Sequence, residues 1–382
     1  MKQFHLIKKT FVALVCSMQI FTVSSATYSG GTGTAVDPYL ISSNMDLSTL
    51  VATSADWGKH FKLTANLDMA GVTFNPIGNN LTPFTGSFDG NNMVVKNLTI
   101  TPSASQNSLG AGFFGRIQIS TVKNLGLVNL NINVKTTHER VGGIAGITEW
   151  NGCRIENCFV LGGSIAGQGR VGGITGYVNG NSTIVDCFVQ ANVSDAWGTV
   201  GGIVGNTSPS SPTASITNVA FYGEMGNGNA IIGSKQGGTL TNAYFIQKTG
   251  KNSDTNGSEL TSAQLLLESS YSGFNFTTTW QVLANNFAVL KSFPNTAYTG
   301  LSTSTPNVKS DYKESNIFVQ NSKIYFPANI SEVEIYDSRG ILVNQTIKQV
   351  SEINVAEFQK GFFIVRAQAS NGEKLVSKIV IR

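Results

Sequence analysis

The chain has 382 residues, 41 of them glycine, with 13% charged side chains and a formal charge of +4. That length allows two or three domains with a sizeable core. So few charges beside so much glycine point away from an ordinary globular enzyme and towards a turn-rich β-solenoid.

Segment 1–26 has the layout of a secretory signal peptide. Lys2, Lys8 and Lys9 form a charged stub, Phe11 to Val23 a short apolar stretch, and Ser24-Ser25-Ala26 the small residues for cleavage. The apolar run is too short to favour a membrane span, so no transmembrane segment is expected in the mature chain. Val15 is bulkier than the residue that usually precedes a lipidated cysteine, which disfavours lipidation at Cys16. Losing three lysines takes the 26 basic residues to 23, against 22 acidic ones. The pI of 8.8 therefore belongs mostly to the leader. No basic stripe remains to attract nucleic acid or an anionic membrane.

Residues 27–300 read as a parallel β-helix. Gly-Phe-Phe-Gly ends at Gly115, and Val-Gly-Gly-Ile-x-Gly ends at Gly146, Gly176 and Gly205; a decayed copy ends at Gly233. Steps of 31, 30, 29 and 28 residues mean stacked supersecondary units. Ile144, Ile174 and Ile203 are expected to point inward as an aliphatic ladder. A second phrase marches with the first and carries Asn97, Asn124, Asn157, Asp186, Asn218 and Asn242. These are expected to stack at turns, bonding to one another or to local backbone. Cys153, Cys158 and Cys187 survive signal removal, an odd number that argues against a disulfide framework. Their spacing is not that of a zinc site. Cys158 and Cys187 hold equivalent places in successive units and read as small core residues, with a disulfide or metal role as the alternative.

This region resembles the bacterial proteins that carry the GLUG motif. The likeness rests on Gly30-Gly31-Thr32-Gly33-Thr34-Ala35, Asp37-Pro38-Tyr39-Leu40-Ile41, the segment His60 to Met69, and Phe84-Thr85-Gly86-Ser87-Phe88-Asp89-Gly90. It continues through Gly273-Phe274-Asn275-Phe276, Trp280 and Val289-Leu290-Lys291, with Phe287-Ala288 where the relatives often have Tyr-Pro. It covers about residues 27 to 293 and implies the architecture, not an activity.

A Ser/Thr/Pro-rich linker is expected at 301–312, followed by a small β-sandwich at 313–382. The sandwich strands are expected at Ile317 to Val319, Lys323 to Phe326, Val333 to Tyr336, Ile341 to Gln345, Ile353 to Val355, Phe362 to Ala367 and Val376 to Ile381. Val333-Glu334-Ile335-Tyr336-Asp337, Gly340, Lys360 to Arg366 and the ending Lys378-Ile379-Val380-Ile381-Arg382 resemble the type A C-terminal sorting domain of the type IX secretion system, found in the Bacteroidota. The resemblance implies passage through the periplasm, recognition by the type IX machinery, and release or attachment at the outer-membrane surface. An Ig-like structural cap is the alternative. The whole is then all-β, a parallel solenoid followed by a small sandwich.

No nucleophile elbow, zinc-binding motif, phosphate loop or dinucleotide fingerprint is present, so no catalytic residue, metal or cofactor is expected. The turn before each Val-Gly-Gly phrase carries His138, Glu139 and Arg140, then Gln168 and Arg170, then Asp195 and Trp197. Stacked coils would gather them into one patch of the kind that binds carbohydrate. Solvated turn residues are the plainer reading of the same positions. A second turn, with Glu149, Trp150 and Arg154, is a lesser version of the patch. The leading functional expectation is a non-enzymatic adhesin or a protein that binds polysaccharide or extracellular matrix. A polysaccharide lyase or glycoside hydrolase on the same face, and a structural envelope component, are the alternatives.

Overall fold

The computed structural model describes residues 27–100, 110–134, 140–150, 152–195, 198–226, 228–246, 256–283, 286–298, 312–314, 317–337, 342–346, 349–358 and 360–381. The signal segment lies outside them, as does the expected linker apart from Tyr312.

The repeats wind into a parallel β-solenoid, as their near-constant period requires. Its wide wall is built from Ser87–Lys96, Thr121–Asn133, Arg154–Gly167, Thr183–Asp195, Ser215–Phe221 and Thr239–Ile246, each paired in parallel with the next. A narrow wall stacks Gly110–Ala111, Arg140–Gly142, Arg170–Gly172 and Thr199–Gly201. A return wall stacks Phe114–Gln118, Ala145–Glu149, Thr175–Asn179, Val204–Thr207 and Ile232–Lys235.

Inward columns form the core. One runs Tyr39, Phe61, Phe88, Val122, Ile155, Ile184, Ile216 and Leu240, each the register partner of the next. The isoleucine ladder stands as expected. Ile144, Ile174 and Ile203 are fully buried, and the N–H of each donates to the carbonyl of the next coil's isoleucine, ending on Ile231, at 2.9–3.0 Å. Cys158 and Cys187 are register partners inside this core, and burial pushes the Cys187 thiol well up. At the first coil, a capping box between Ser43 and Asp46 starts the helix Asn44–Ala52. That helix packs Leu47 and Leu50 into the same core.

The glycine phrase is a steric demand. Narrow and return walls meet backbone to backbone, leaving no room for a Cβ atom. A Cβ on Gly142 would stand 2.5 Å from Thr175 Cα and 2.7 Å from Gly176 N; one on Gly205 would stand 2.7 Å from Val171 N and 2.5 Å from Gly176 O. Any larger residue must push the walls apart.

The polar ladder is real but double. Asn124, Asn157, Asp186, Asn218 and Asn242 hold φ between 51° and 54°, the left-handed region that asparagine tolerates better than most residues. Side-chain amides donate in one direction along the stack. Asn124 donates to Asp89 at 2.9 Å, Asn157 to Asn124 at 2.7 Å, Asn218 to Asp186 at 3.0 Å and Asn242 to Asn218 at 2.9 Å. Asn97 belongs elsewhere, because each early wide strand turns two left-handed corners and Asn97 occupies the second. It donates to Asp68 and accepts from Asn129, both at 2.8 Å. In the next coil, Gly162 and Gly163 take that corner with φ of 72° and 85°.

Residues 256–283 and 286–298 fold back over the outer face of the wide wall. Phe159 and Phe188 stack there with ring centroids 5.0 Å apart, and Tyr271, Phe274, Trp280, Phe287, Phe293 and Tyr298 seal them. Asn157 donates to Ser292 Oγ at 2.9 Å, and the Trp280 indole donates to Asp186 Oδ1 at 3.0 Å.

In the C-terminal unit seven strands share one sheet, antiparallel except for the pairing of Tyr312–Glu314 with Lys374–Ile381, and the sheet curls into a near-barrel. The strands expected at Lys323 to Phe326 and Val333 to Tyr336 are one, Lys323–Asp337, whose pairing with Val350–Asn354 shifts register between Tyr325 and Ile330. Its core holds Ile324, Ile330, Val333, Ile335 and Val365.

Four substitutions at three positions test these constraints. Gly205→Ala should destabilise by at least about 2 kcal/mol through overpacking. Gly226→Ala, with nothing within 4 Å of its Cβ, should stay within about 0.5 kcal/mol of the parent in the same chemical denaturation series. Asn218→Ala loses both ladder bonds and the left-handed preference, a cost of about 1–3 kcal/mol. Asn218→Gly keeps the backbone freedom and should fall between Asn218→Ala and the parent. Equal losses for the two would show that the left-handed corner carries no weight.

Candidate ligand face

Arg140 and Arg170 open successive narrow strands and are direct register partners; Thr199 holds the same place in the third coil. Sequence reading set them 30 residues apart, and winding brings them to neighbouring coils, about 4.8 Å apart at the backbone. The tight contact of narrow and return walls then decides what lies beside them. Gly176 presses within 2.8 Å of the Arg140 carbonyl carbon, and Gly205 within 2.9 Å of that of Arg170, counting from an added Cβ. The residues following these glycines, Tyr177 and Asn206, therefore stand alongside the arginines and are register partners of each other. The guanidinium carbons of Arg140 and Arg170 lie over the Tyr177 ring, 5.2 and 4.9 Å from its centroid. Such contacts hold a guanidinium plane against the ring.

Arg116 extends the face. It shares a column with Ile147, Tyr177 and Asn206, forms an ion pair with Glu149, and donates to the Asn80 carbonyl at 3.3 Å. Burial first, and then the charge of Arg140, holds its guanidinium below the ordinary arginine value. Glu149 also accepts from Asn179 Nδ2 at 3.1 Å. The face thus sets two guanidiniums over one phenol ring, with a third, Arg116, two coils along the same column and one carboxylate already engaged.

Of the seven residues expected in the patch, Arg140 and Arg170 come together as foreseen. Gln168 is half-buried two residues before Arg170. Asp195 is displaced from the expected stack: it is the register partner of Gly167, and the arginine column continues instead into Thr199. Its carboxylate accepts from the N–H of Gly169 at 2.9 Å and from that of Gly198, tying two turns together. His138, Glu139 and Trp197 lie outside the described residues. In the lesser turn, Glu149 joins the first group through Arg116. Trp150 is 59% exposed with φ of 65°, and Arg154 pairs with Glu156. Tyr177, Arg116 and Asn206 were missed, although the sequence carried their signal. Each directly follows the closing glycine of its repeat, at Gly176, Gly115 and Gly205. Among the described residues, no three His, Cys, Asp or Glu side chains gather in a way that could hold a metal ion. No helix among them is long and apolar enough to cross a membrane.

Comparison with known proteins gives partial matches. Over 135 residues, 33% of the chain, it is 33% identical to halomucin of Haloquadratum walsbyi. Over 143 residues, 36% of the chain, it is 31% identical to a "Putative Gly-rich membrane protein" of Evansella cellulosilytica. The matched regions span only 1% and 16% of those relatives. No solved structure matches the chain. Residues 314–382 match the family of the secretion system C-terminal sorting domain. The C-terminal unit is therefore a type IX sorting domain, and the chain that carries it is a secreted or cell-surface protein built on a parallel β-solenoid.

Proposed function

We propose that the chain is a non-enzymatic binding protein of the bacterial surface, with a GLUG-type solenoid that holds a polymeric glycan or matrix ligand against the Arg140–Arg170–Tyr177 face. The observation that carries this reading is the pair of guanidiniums, in register on successive coils, both resting over one tyrosine ring. A wall of stacked parallel strands fixes that spacing, so a ligand meets groups already in position and loses less entropy on binding. Arginine and tyrosine are also the side chains most often found at energetic centres of interfaces. Export behind a sorting domain would bring the face to extracellular polymers. The relative named as a membrane protein accords with life at an envelope. The hydrolase alternative gains no carboxylate pair from the described residues of this face. Glycoside hydrolysis commonly needs two carboxylates flanking the bond, and Glu149 is held by Arg116 and Asn179.

The test is a binding screen of the full mature chain against polysaccharides and matrix proteins. At least one polymer should bind, and the double variant Arg140→Gln/Arg170→Gln should weaken that binding at least about ten-fold, within the range for losing charge-assisted hydrogen bonds. Arg154→Gln, paired elsewhere with Glu156, should leave it unchanged. Silence across the screen, or equal binding by the double variant, would sink the proposal. Separately, a chain lacking residues 314–382 should stay inside a type IX-competent bacterium, as read by cell fractionation.

A further inference from the structure

The column that holds Tyr177 contains one residue the fold does not ask for. Its members after each closing glycine are Arg116, Ile147, Tyr177, Asn206 and Ser234, so apolar and polar residues alike fit the wall there. Asn206 is 6% exposed, yet its side-chain oxygen has no hydrogen-bond partner among the described residues. In the adjoining column, the buried hydroxyl of Thr199 is likewise without one. A buried acceptor left unpaired opposes folding and returns nothing, whereas the isoleucine used at position 147 would avoid the loss. Both groups lie on the coils next to Arg170. Arg170 itself makes no ion pair with a described carboxylate; its recorded contact is the Tyr177 ring.

The pairing is chemically complementary. Arginine edges supply N–H donors and positive charge, the geometry that takes a carboxylate or sulfate two bonds at a time. Asn206 Oδ1 can only accept, so its partner must donate, and Thr199 can do either. A ligand that satisfies the whole set carries an oxyanion and a hydroxyl close together on a rigid frame. Neutral sugars lack the first and simple polyanions lack the second.

We infer that the face recognises acidic, hydroxyl-bearing sugar units, the oxyanion seated on Arg170 and a ring hydroxyl donating to Asn206. This rests on the binding reading above and adds the ligand class to it.

The experiment measures binding of the full mature chain to polygalacturonate, dextran sulfate, neutral dextran and polyglutamate at one ionic strength. Polygalacturonate and dextran sulfate distinguish carboxylate from sulfate, and tight binding of either one supports the inference. Dextran and polyglutamate should bind at least about ten-fold more weakly. Asn206→Leu, which replaces the unpaired amide by an apolar group of similar size, should keep the fold and lose about ten-fold for the preferred acidic sugar. Arg170→Gln should lose at least as much. If dextran binds as well as the acidic sugars and Arg140→Gln/Arg170→Gln still weakens it, the inference fails while the binding reading stands. If polyglutamate matches the acidic sugars, or Asn206→Leu binds them as the parent does, charge alone is read and the inference is overturned. If none of the four polymers binds, the inference fails; the reading above then depends on the wider screen.

Discussion

Everything in the solenoid depends on two walls touching through their main chains. Where the narrow and return strands meet, carbonyls and amides of one wall stand at van der Waals distance from the other, and only hydrogen fits on the intervening α-carbons. Gly142, Gly146, Gly172, Gly176, Gly201 and Gly205 are each required by a neighbour a few ångströms away. The contact fixes the offset of one wall against the other. That offset places the residue after each closing glycine beside the first residue of a narrow strand. The arginine–tyrosine face is therefore a by-product of the packing rule: Tyr177 sits under Arg140 and Arg170 because Gly176 cannot sit anywhere else.

Much of this was legible in the chain. A period near 30 and a fixed apolar place within it gave the isoleucine ladder, since parallel stacking puts equivalent residues directly over one another. It also foretold that Arg140 and Arg170 would meet. Three things were hidden. Asn97 follows the same local phrase as Asn124, but the phrase marks a left-handed corner and early coils have two such corners, so local wording could not say which. Asp195 precedes its Val-Gly-Gly phrase by five residues where Arg140 and Arg170 are immediate neighbours, and counting from the phrase would have set it aside. Tyr177, Arg116 and Asn206 lie beyond the closing glycine, across the wall contact. Periodicity alone does not reveal that a residue on one wall faces a residue on the other.

The sorting domain and the proposed binding face lie on separate parts of the chain. The sorting domain has its own apolar core, centred on Ile324, Ile330, Val333, Ile335 and Val365, and shares no side chain with the core of the repeats. The solenoid in turn is closed at its first coil by the helix Asn44–Ala52 and covered along its wide wall by residues 256–283 and 286–298. Apolar faces invite association with other chains, and the aromatic face of the wide wall is shielded here by a segment of the same chain.

The asparagine stack has a direction, and its one acidic member interrupts it. An amide can pass a hydrogen bond along, donating on one side and accepting on the other; a carboxylate only receives. At Asp186 the relay therefore stops, and Asn157 below it has no amide above to receive. The covering segment meets the ladder at these two coils, where Asn157 donates to Ser292 Oγ and the Trp280 indole donates to Asp186, and meets later coils where the Tyr222 and Tyr244 hydroxyls donate to the Ala288 and Ser272 carbonyls. A single acid in the row of amides thus receives from two sides at once, from Asn218 of the next coil and from an indole nearly a hundred residues downstream.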